Sequence, residues 1–241
     1  MYSNFRKKGV FVMNIGHGDK YNILKSKILR AALEHFLEKG YTNTTLKELA
    51  EEVEISLGSL THIFSNKESL VCELVKFVIE YQFEMVSKTL NEKVDDKLLL
   101  YATEIGLQLH LAESSSYMRE MYVVSYSMEK SSKVVYNTVA EKLEEIFKDY
   151  LPNLKEKDFY EKEVAVAGIM RGFMSIPCDK YFTMNRKMKS VIETIFLVFE
   201  VPREKIDEAI NFVRDFDFRG MARETIWSMP RYINNKIKKG E

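Results

Sequence analysis

Apolar residues return at steps of three and four along almost the whole of this chain, and little interrupts them. Only four prolines and ten glycines punctuate 241 residues, far fewer turn formers than a sheet protein of this length needs. The spacing predicts an all-α fold with no strand hairpin. The chain is 46% hydrophobic, enough for a sizeable core. No apolar run reaches the roughly 20 residues of a membrane span, so no membrane partner is expected. "FRKK" before "GVFVM" does not make a secretory signal, because Asn14, Gly16, His17, Gly18 and Asp19 end the apolar run too soon. Cys72 and Cys178 lie far apart at no metal-ligand spacing. Free thiols and a cytoplasmic location are the expectation.

Residues 1–20 read as a loose basic arm, followed by an amphipathic helix over 21–39 with Leu24, Ile28, Ala32 and Phe36 on one stripe and Gly40 as its stop. Thr45 and Glu48 have the spacing of a capping box that opens a helix of about eight residues. Ser56 caps a third short helix running to Ile63, and Ser65 with Glu68 predicts a second capping box opening a long helix to about Leu90. Further helices are expected over 95–112, 115–129, 132–150, 157–176, 184–200 and 203–216, with a weaker one over 220–238. The texture becomes greasier after Val94, which predicts two domains, 21–70 and 71–241, joined through one shared helix.

Three short helices in some 40 residues, with a tight turn between the second and third, form a helix-turn-helix. The stretch "ILRAALEHFLEKGYTNTTLKELAEEVEISLGSLTHIFSNKESL" resembles the TetR family of repressors through Phe36, Gly40-Tyr41, Thr44-Thr45, Leu49-Ala50, Ser56, Gly58, Leu60, His62, Phe64, Lys67, Glu68 and Leu70. That resemblance implies an amino-terminal DNA-binding domain followed by a helical ligand-binding and dimerisation domain. It also implies that double-stranded DNA is met by Thr44, Thr45, Ser56, Leu57, Gly58, Ser59, Thr61, His62 and Lys67, and the basic charge of the first helix adds Lys25 and Lys27 as expected contacts.

Four positions depart from the family pattern. Thr61 and Ile63 stand where tyrosines are usual, Leu57 where a polar or basic residue is usual, and Glu54 in place of a turn glycine. The last puts a side chain where left-handed backbone is expected, which costs about 1 kcal/mol. Residues 31–72 carry three lysines against seven glutamates, whereas residues 1–30 carry seven basic residues against one acid. Positive charge has therefore moved from the reading helix to the arm and first helix, although the whole chain is neutral.

In the larger domain the segment "DDKLLLYATEIGLQLHLA" is apolar almost all round, as a central buried helix is, yet Tyr101, Glu104 and Gln108 share one of its stripes. Buried polar groups need partners, and a ligand cavity supplies them. A pocket is expected between the helices over 67–90, 95–112, 115–129 and 157–176, walled by Tyr101, Glu104, Gln108, Met118, Met121, Tyr122, Tyr126 and Arg171. Methionine and tyrosine make adaptable amphipathic walls, so a small amphipathic or aromatic molecule suits it. An unpaired Glu104 facing the pocket favours a cation, and Arg171 there favours an anion. Small residues Ala165, Gly168 and Gly172 with Ile195 and Val198 predict half of a four-helix homodimer seam.

No catalytic arrangement, phosphate loop or metal-ligand cluster stands out, and neither an enzyme nor a cofactor is expected. Two functions follow from these features. One is a ligand-responsive repressor released from a palindromic operator. The other is a dimeric sensor of the same fold that no longer reads an operator, as the uncharged third helix suggests.

Overall fold

A computed structural model describes residues 17–90 and 96–239, and every element among them is helical. The helices are α1 (His17–Lys39), α2 (Leu46–Glu52), α3 (Leu57–Ile63), α4 (Lys67–Thr89), α5 (Lys97–Glu113), α6 (Ser116–Ser127), α7 (Glu129–Phe147), α8 (Glu156–Ser175), α9 (Met184–Val198), α10 (Arg203–Val213) and α11 (Phe218–Lys239). None is long and apolar enough to cross a membrane.

The caps decide where the short helices start. The Thr45 hydroxyl accepts from the Glu48 amide at 3.2 Å while the Glu48 carboxylate accepts from the Thr45 amide at 2.9 Å, and Ser56 accepts from the Ser59 amide at 3.0 Å. At α4 the box is one residue later than the sequence suggested. Asn66, not Ser65, is the cap and Ser69 its reciprocal partner. Glu68 is thereby left to accept from the Lys130 amide at 2.8 Å, tying α4 to the start of α7. Gly40 ends α1 at φ 84°, where a side chain is disfavoured.

The first helix begins at His17, so residues 17–20 are not part of an arm. The rest of the expected basic arm, residues 1–16, lies outside the described residues. Glu54 adopts φ 58°, in line with the expected left-handed turn.

α5 is the axis of the larger domain. Tyr101 through Leu109 are buried without a break, and α4, α6, α7, α8, α9, α10 and α11 all pack on it. Tyr101, Phe147, Phe196 and Phe199 interlock beside it, with Phe147 and Phe199 stacked at 3.9 Å and Tyr101 edge-on to Phe147 at 5.7 Å. Gly106 matters for a steric reason, because a Cβ there would lie 2.4 Å from the Phe218 ring that anchors α11. Gly106→Ala gains helix propensity of up to about 1 kcal/mol but must displace a buried ring. We expect a net loss of about 1–3 kcal/mol in urea unfolding, and a stabilised variant would show that α11 docks otherwise.

α11, the weakest helix by sequence, crosses back to the beginning of the chain. It packs along α1 and α4, with Ser26 donating to Asn234 at 3.1 Å and the Tyr81 and Tyr232 rings tilted together at 4.3 Å. α1 also meets α6, so the first helix is held by the larger domain on two sides.

Candidate DNA-reading head and ligand cavity

Ser56, Leu57, Gly58, Ser59 and His62 are exposed around α3, and Thr45 is exposed at the start of α2. Leu60 and Phe64 face inward and hold the helix against Leu49 and Ala50. Ser56 and Ser59 exchange a hydroxyl hydrogen bond at 2.8 Å, and half-buried Thr61 donates to the Gly58 carbonyl at 3.1 Å. His62 is the one exposed imidazole on this surface, and Lys27 is exposed on α1.

Three expected DNA contacts are corrected. Thr44 is fully buried and donates to the Gly40 carbonyl at 2.8 Å. Lys25 is paired with Glu73 of α4 at 2.7 Å. Lys67 turns inward, donating to the carbonyls of Tyr41 at 2.6 Å and Thr44 at 2.8 Å and lying 4.1 Å from the centre of the Tyr41 ring. Burial lowers its pKa, with Glu120 and Glu48 opposing. Its charge satisfies the carbonyls of the α1–α2 turn. The same turn is gripped from α6, where Glu120 accepts from the Thr42 amide at 3.0 Å and from the Thr42 hydroxyl.

Behind this head lies an apolar cavity of about 80 Å³. Its walls are Leu33 and Leu37 of α1, six residues of α4 from Val71 to Gln82, Gln108 and Leu111 of α5, and Met118, Met121, Tyr122, Ser125 and Tyr126 of α6. Val135 of α7 and Thr225, Ile226 and Met229 of α11 close it. A space of this size is small beside the pockets that hold drug-sized ligands, so a larger guest must displace the mobile side chains of Met118 and Met121. The expected wall from α8 is absent, and α1, α7 and α11 stand there instead.

Tyr101 and Glu104 face a second, smaller space of about 10 Å³ together with Phe83, Gln108, Tyr126, Glu163 and Met170. Gln108 and Tyr126 line both spaces and divide them. Tyr126 donates to Gln108 at 3.1 Å, and Gln108 donates to Glu104. Gln82 donates to Tyr122 on the other side. Burial pushes the Glu104 carboxyl up to about 7, with the Gln108 hydrogen bond opposing. Burial, then the nearby Glu104, pushes Glu163 well up as well.

Arg171 contradicts the expectation outright. It is exposed on the outer face of α8 with Val164, Ala165, Gly168 and Gly172, because the inward stripe is Phe159, Glu163, Val166, Met170 and Met174. Glu163 was the missed residue, a charge standing on an apolar stripe. Of the expected seam residues, Ala165, Gly168 and Gly172 are open, and a Cβ at either glycine meets nothing within 4 Å. Ile195 is a correction, since it is fully buried within the protomer. Half-buried Val198 and the 57% exposed Leu197 mark the outer side of α9.

A wider surface pocket of about 910 Å³ opens between α5, α11 and the α8–α9 loop, beside Glu113 and Cys178. Both cysteines are free thiols. No group of three metal-ligating side chains occurs among the described residues.

Known proteins resemble this arrangement. The family model for bacterial regulatory proteins of the tetR family matches residues 28–74. The uncharacterised HTH-type transcriptional regulator YvkB of Bacillus subtilis (strain 168) is 26% identical over 134 residues, covering 54% of this chain and 67% of that protein. The biofilm operon icaADBC HTH-type negative transcriptional regulator IcaR of Staphylococcus aureus (strain Newman) is 35% identical over 69 residues, covering 29% of this chain and 37% of that one. The chain thus matches little more than a third of IcaR. Among solved structures, RolR in complex with resorcinol superposes with a TM-score of 0.62 at 13% identity, covering 83% of this chain and 97% of that chain. At that identity the likeness concerns the fold.

Proposed function

Because this chain belongs to the TetR family of bacterial regulatory proteins, we propose that it is a homodimeric repressor released from a palindromic operator by a small amphipathic molecule. That it is a DNA-binding transcriptional regulator and no enzyme follows from the family. The observation that carries the finer reading is the position of the cavity, whose walls include α1 of the reading head and α4, the helix shared by both domains. A guest that binds one orientation of these helices better than another shifts the spacing of two reading heads, and no further coupling device is needed.

The operator is read by the outer surface of α3. Two such helices about 34–36 Å apart, or somewhat more, reach successive major grooves. His62 and Ser59 are the base-reading side chains, Gly58 allows close approach, and Lys27 supplies backbone attraction from α1. Domain limits at about residues 20 and 70 go with this reading, with α4 belonging to both parts. The dimer seam is the outer face of α8 and α9, where Ala165, Gly168, Gly172, Val198 and Leu197 lie.

His62→Ala is expected to cost about 1–3 kcal/mol on a site enriched from random DNA and little on unselected DNA. A gel shift at several salt concentrations measures both, and equal losses on the two DNAs would remove His62 as a reader. The inward turn of Lys67 and the Lys25–Glu73 pair favour the second reading, a sensor that has lost its operator. In that case no specific complex forms at any salt concentration, whereas an operator-bound protein weakens steadily as salt rises.

A further inference from the structure

Two buried carboxyl groups have no basic partner among the described residues. Glu104 on α5 and Glu163 on α8 are each 1% exposed and face the same small space. One oxygen of Glu163, Oε2, is buried without any hydrogen-bond partner. Among the described residues, no lysine, arginine or histidine lines this space or the larger apolar cavity beside it. A buried carboxyl oxygen with neither cation nor donor is unfavourable in a merely structural core. Around it stand Phe83, Tyr101 and Tyr126, aromatic groups of the kind that receive an organic cation.

We propose that the regulatory ligand is an amphipathic organic cation, its apolar body in the cavity between α1, α4, α6 and α11 and its charged end against Glu163 and Glu104. This deepens, and rests on, the reading of the chain as a ligand-responsive regulator. Gln108 and Tyr126 are the partition between the two spaces. The cation displaces their single chain of hydrogen bonds to Glu104 and replaces it with its own charge. Arg171, the one feature that pointed to an anion, is on the outside of α8.

The titratable groups around the site are Glu104 and Tyr101 on α5, Tyr122 and Tyr126 on α6, and Glu163 on α8, while α4 and α7 contribute Phe83 and Val139. Burial raises all three tyrosines above their ordinary value, so the change of charge on binding falls to the carboxyls. Both are raised, Glu104 to about 7. A cation favours the ionised form, so its binding releases a proton and tightens as pH rises from 6 to 8.

Calorimetric titration of the full chain with three matched probes tests this. They are 4-phenylbutyl-trimethylammonium, the uncharged analogue with carbon in place of the nitrogen, and 5-phenylpentanoate. At pH 8 the ammonium compound is expected to bind about tenfold or more tighter than either of the others, with the margin narrowing at pH 6. Glu163→Gln and Glu104→Gln, both near-isosteric, are expected to reduce the margin to about threefold or less while melting as sharply as the parent. Equal or tighter binding of the neutral or anionic probe overturns the proposal. So does the absence of ammonium binding, or a margin that survives both substitutions. Because calorimetry needs no DNA, a protein that binds the ammonium probe but forms no operator complex refutes the repressor reading and leaves the cation site standing.

Discussion

Gly168→Trp is expected to turn a dimer into a folded monomer and to remove operator binding. Gly168 lies on the open face of α8, where an added Cβ meets nothing within 4 Å, so an isolated protomer accommodates the indole without repacking. The seam we propose does not, because close approach of α8 to a second copy depends on Ala165, Gly168 and Gly172 being small. Linking two reading heads raises operator affinity by about 10²–10⁴ over one head alone, and a monomer loses that factor. Sedimentation at micromolar concentration reads the mass, and circular dichroism reads the fold. A variant that remains helical and fully dimeric places the interface elsewhere.

Glu113→Ala is expected to destabilise the fold by about 3–5 kcal/mol. Glu113 Oε2 lies 3.1 Å from Lys187 Nζ, and Oε1 lies 2.7 Å from Arg119 and accepts from the Cys178 amide at 2.8 Å. Lys187 is 1% exposed, and it also donates to the Ile176 carbonyl. Removing the carboxylate strands a buried ammonium and releases the α8–α9 loop from α5. Glu113→Gln keeps an acceptor for the amide and for Lys187, and should lose clearly less in the same urea titration. Equal loss for both substitutions would show that packing, not charge, matters there.

The pH dependence follows from opposite signs in two places. Burial raises Glu113, but hydrogen bonds from Cys178 and Lys187, with the charges of Lys187 and Arg119, outweigh it and hold the group low. Its stabilisation is present above the unfolded value near 4.5 and lost as pH falls through the folded value. Glu104 is the reverse case. Its contribution is full below about 4.5 and lost as pH rises through about 7. Thermal stability should therefore be greatest on the acid side of neutrality.

Local chemistry made the helices legible, and long-range packing hid the walls of the site. Thr45, Ser56 and Gly40 each act through neighbours within four residues, so their roles could be read directly from order. The expected first helix starts at Tyr21 where α1 starts at His17, and the expected weak last helix is the 22-residue α11, with Pro230 inside it. Both are fixed by packing against each other, which no local pattern records. The same cause moved the cavity. Met118, Met121, Tyr122, Tyr126 and Gln108 were found from their own stripes, whereas Leu33, Val135 and Met229 reach the site from distant parts of the chain. Arg171 failed because α8 carries small or apolar residues on both faces, so periodicity alone left its inward side ambiguous. Lys25, Thr44 and Lys67 differ for another reason: neither the charge that pointed to Lys25 nor the family resemblance that pointed to Thr44 and Lys67 shows that a side chain is already engaged within the protein.

The return of α11 across α1 bears on whether such proteins are built from interchangeable parts. A reading head joined only through α4 could be exchanged between relatives, combining one operator with another signal. Here α1 also presents Leu33 and Leu37 to the cavity and Ser26 to Asn234 of the final helix. A foreign head brings its own first helix, so it would alter the sensor along with the operator. Hybrid regulators made from this chain should therefore keep native α1 and exchange only α2 and α3, whose outward surfaces we propose as the operator readers and whose inner residues hold the small core.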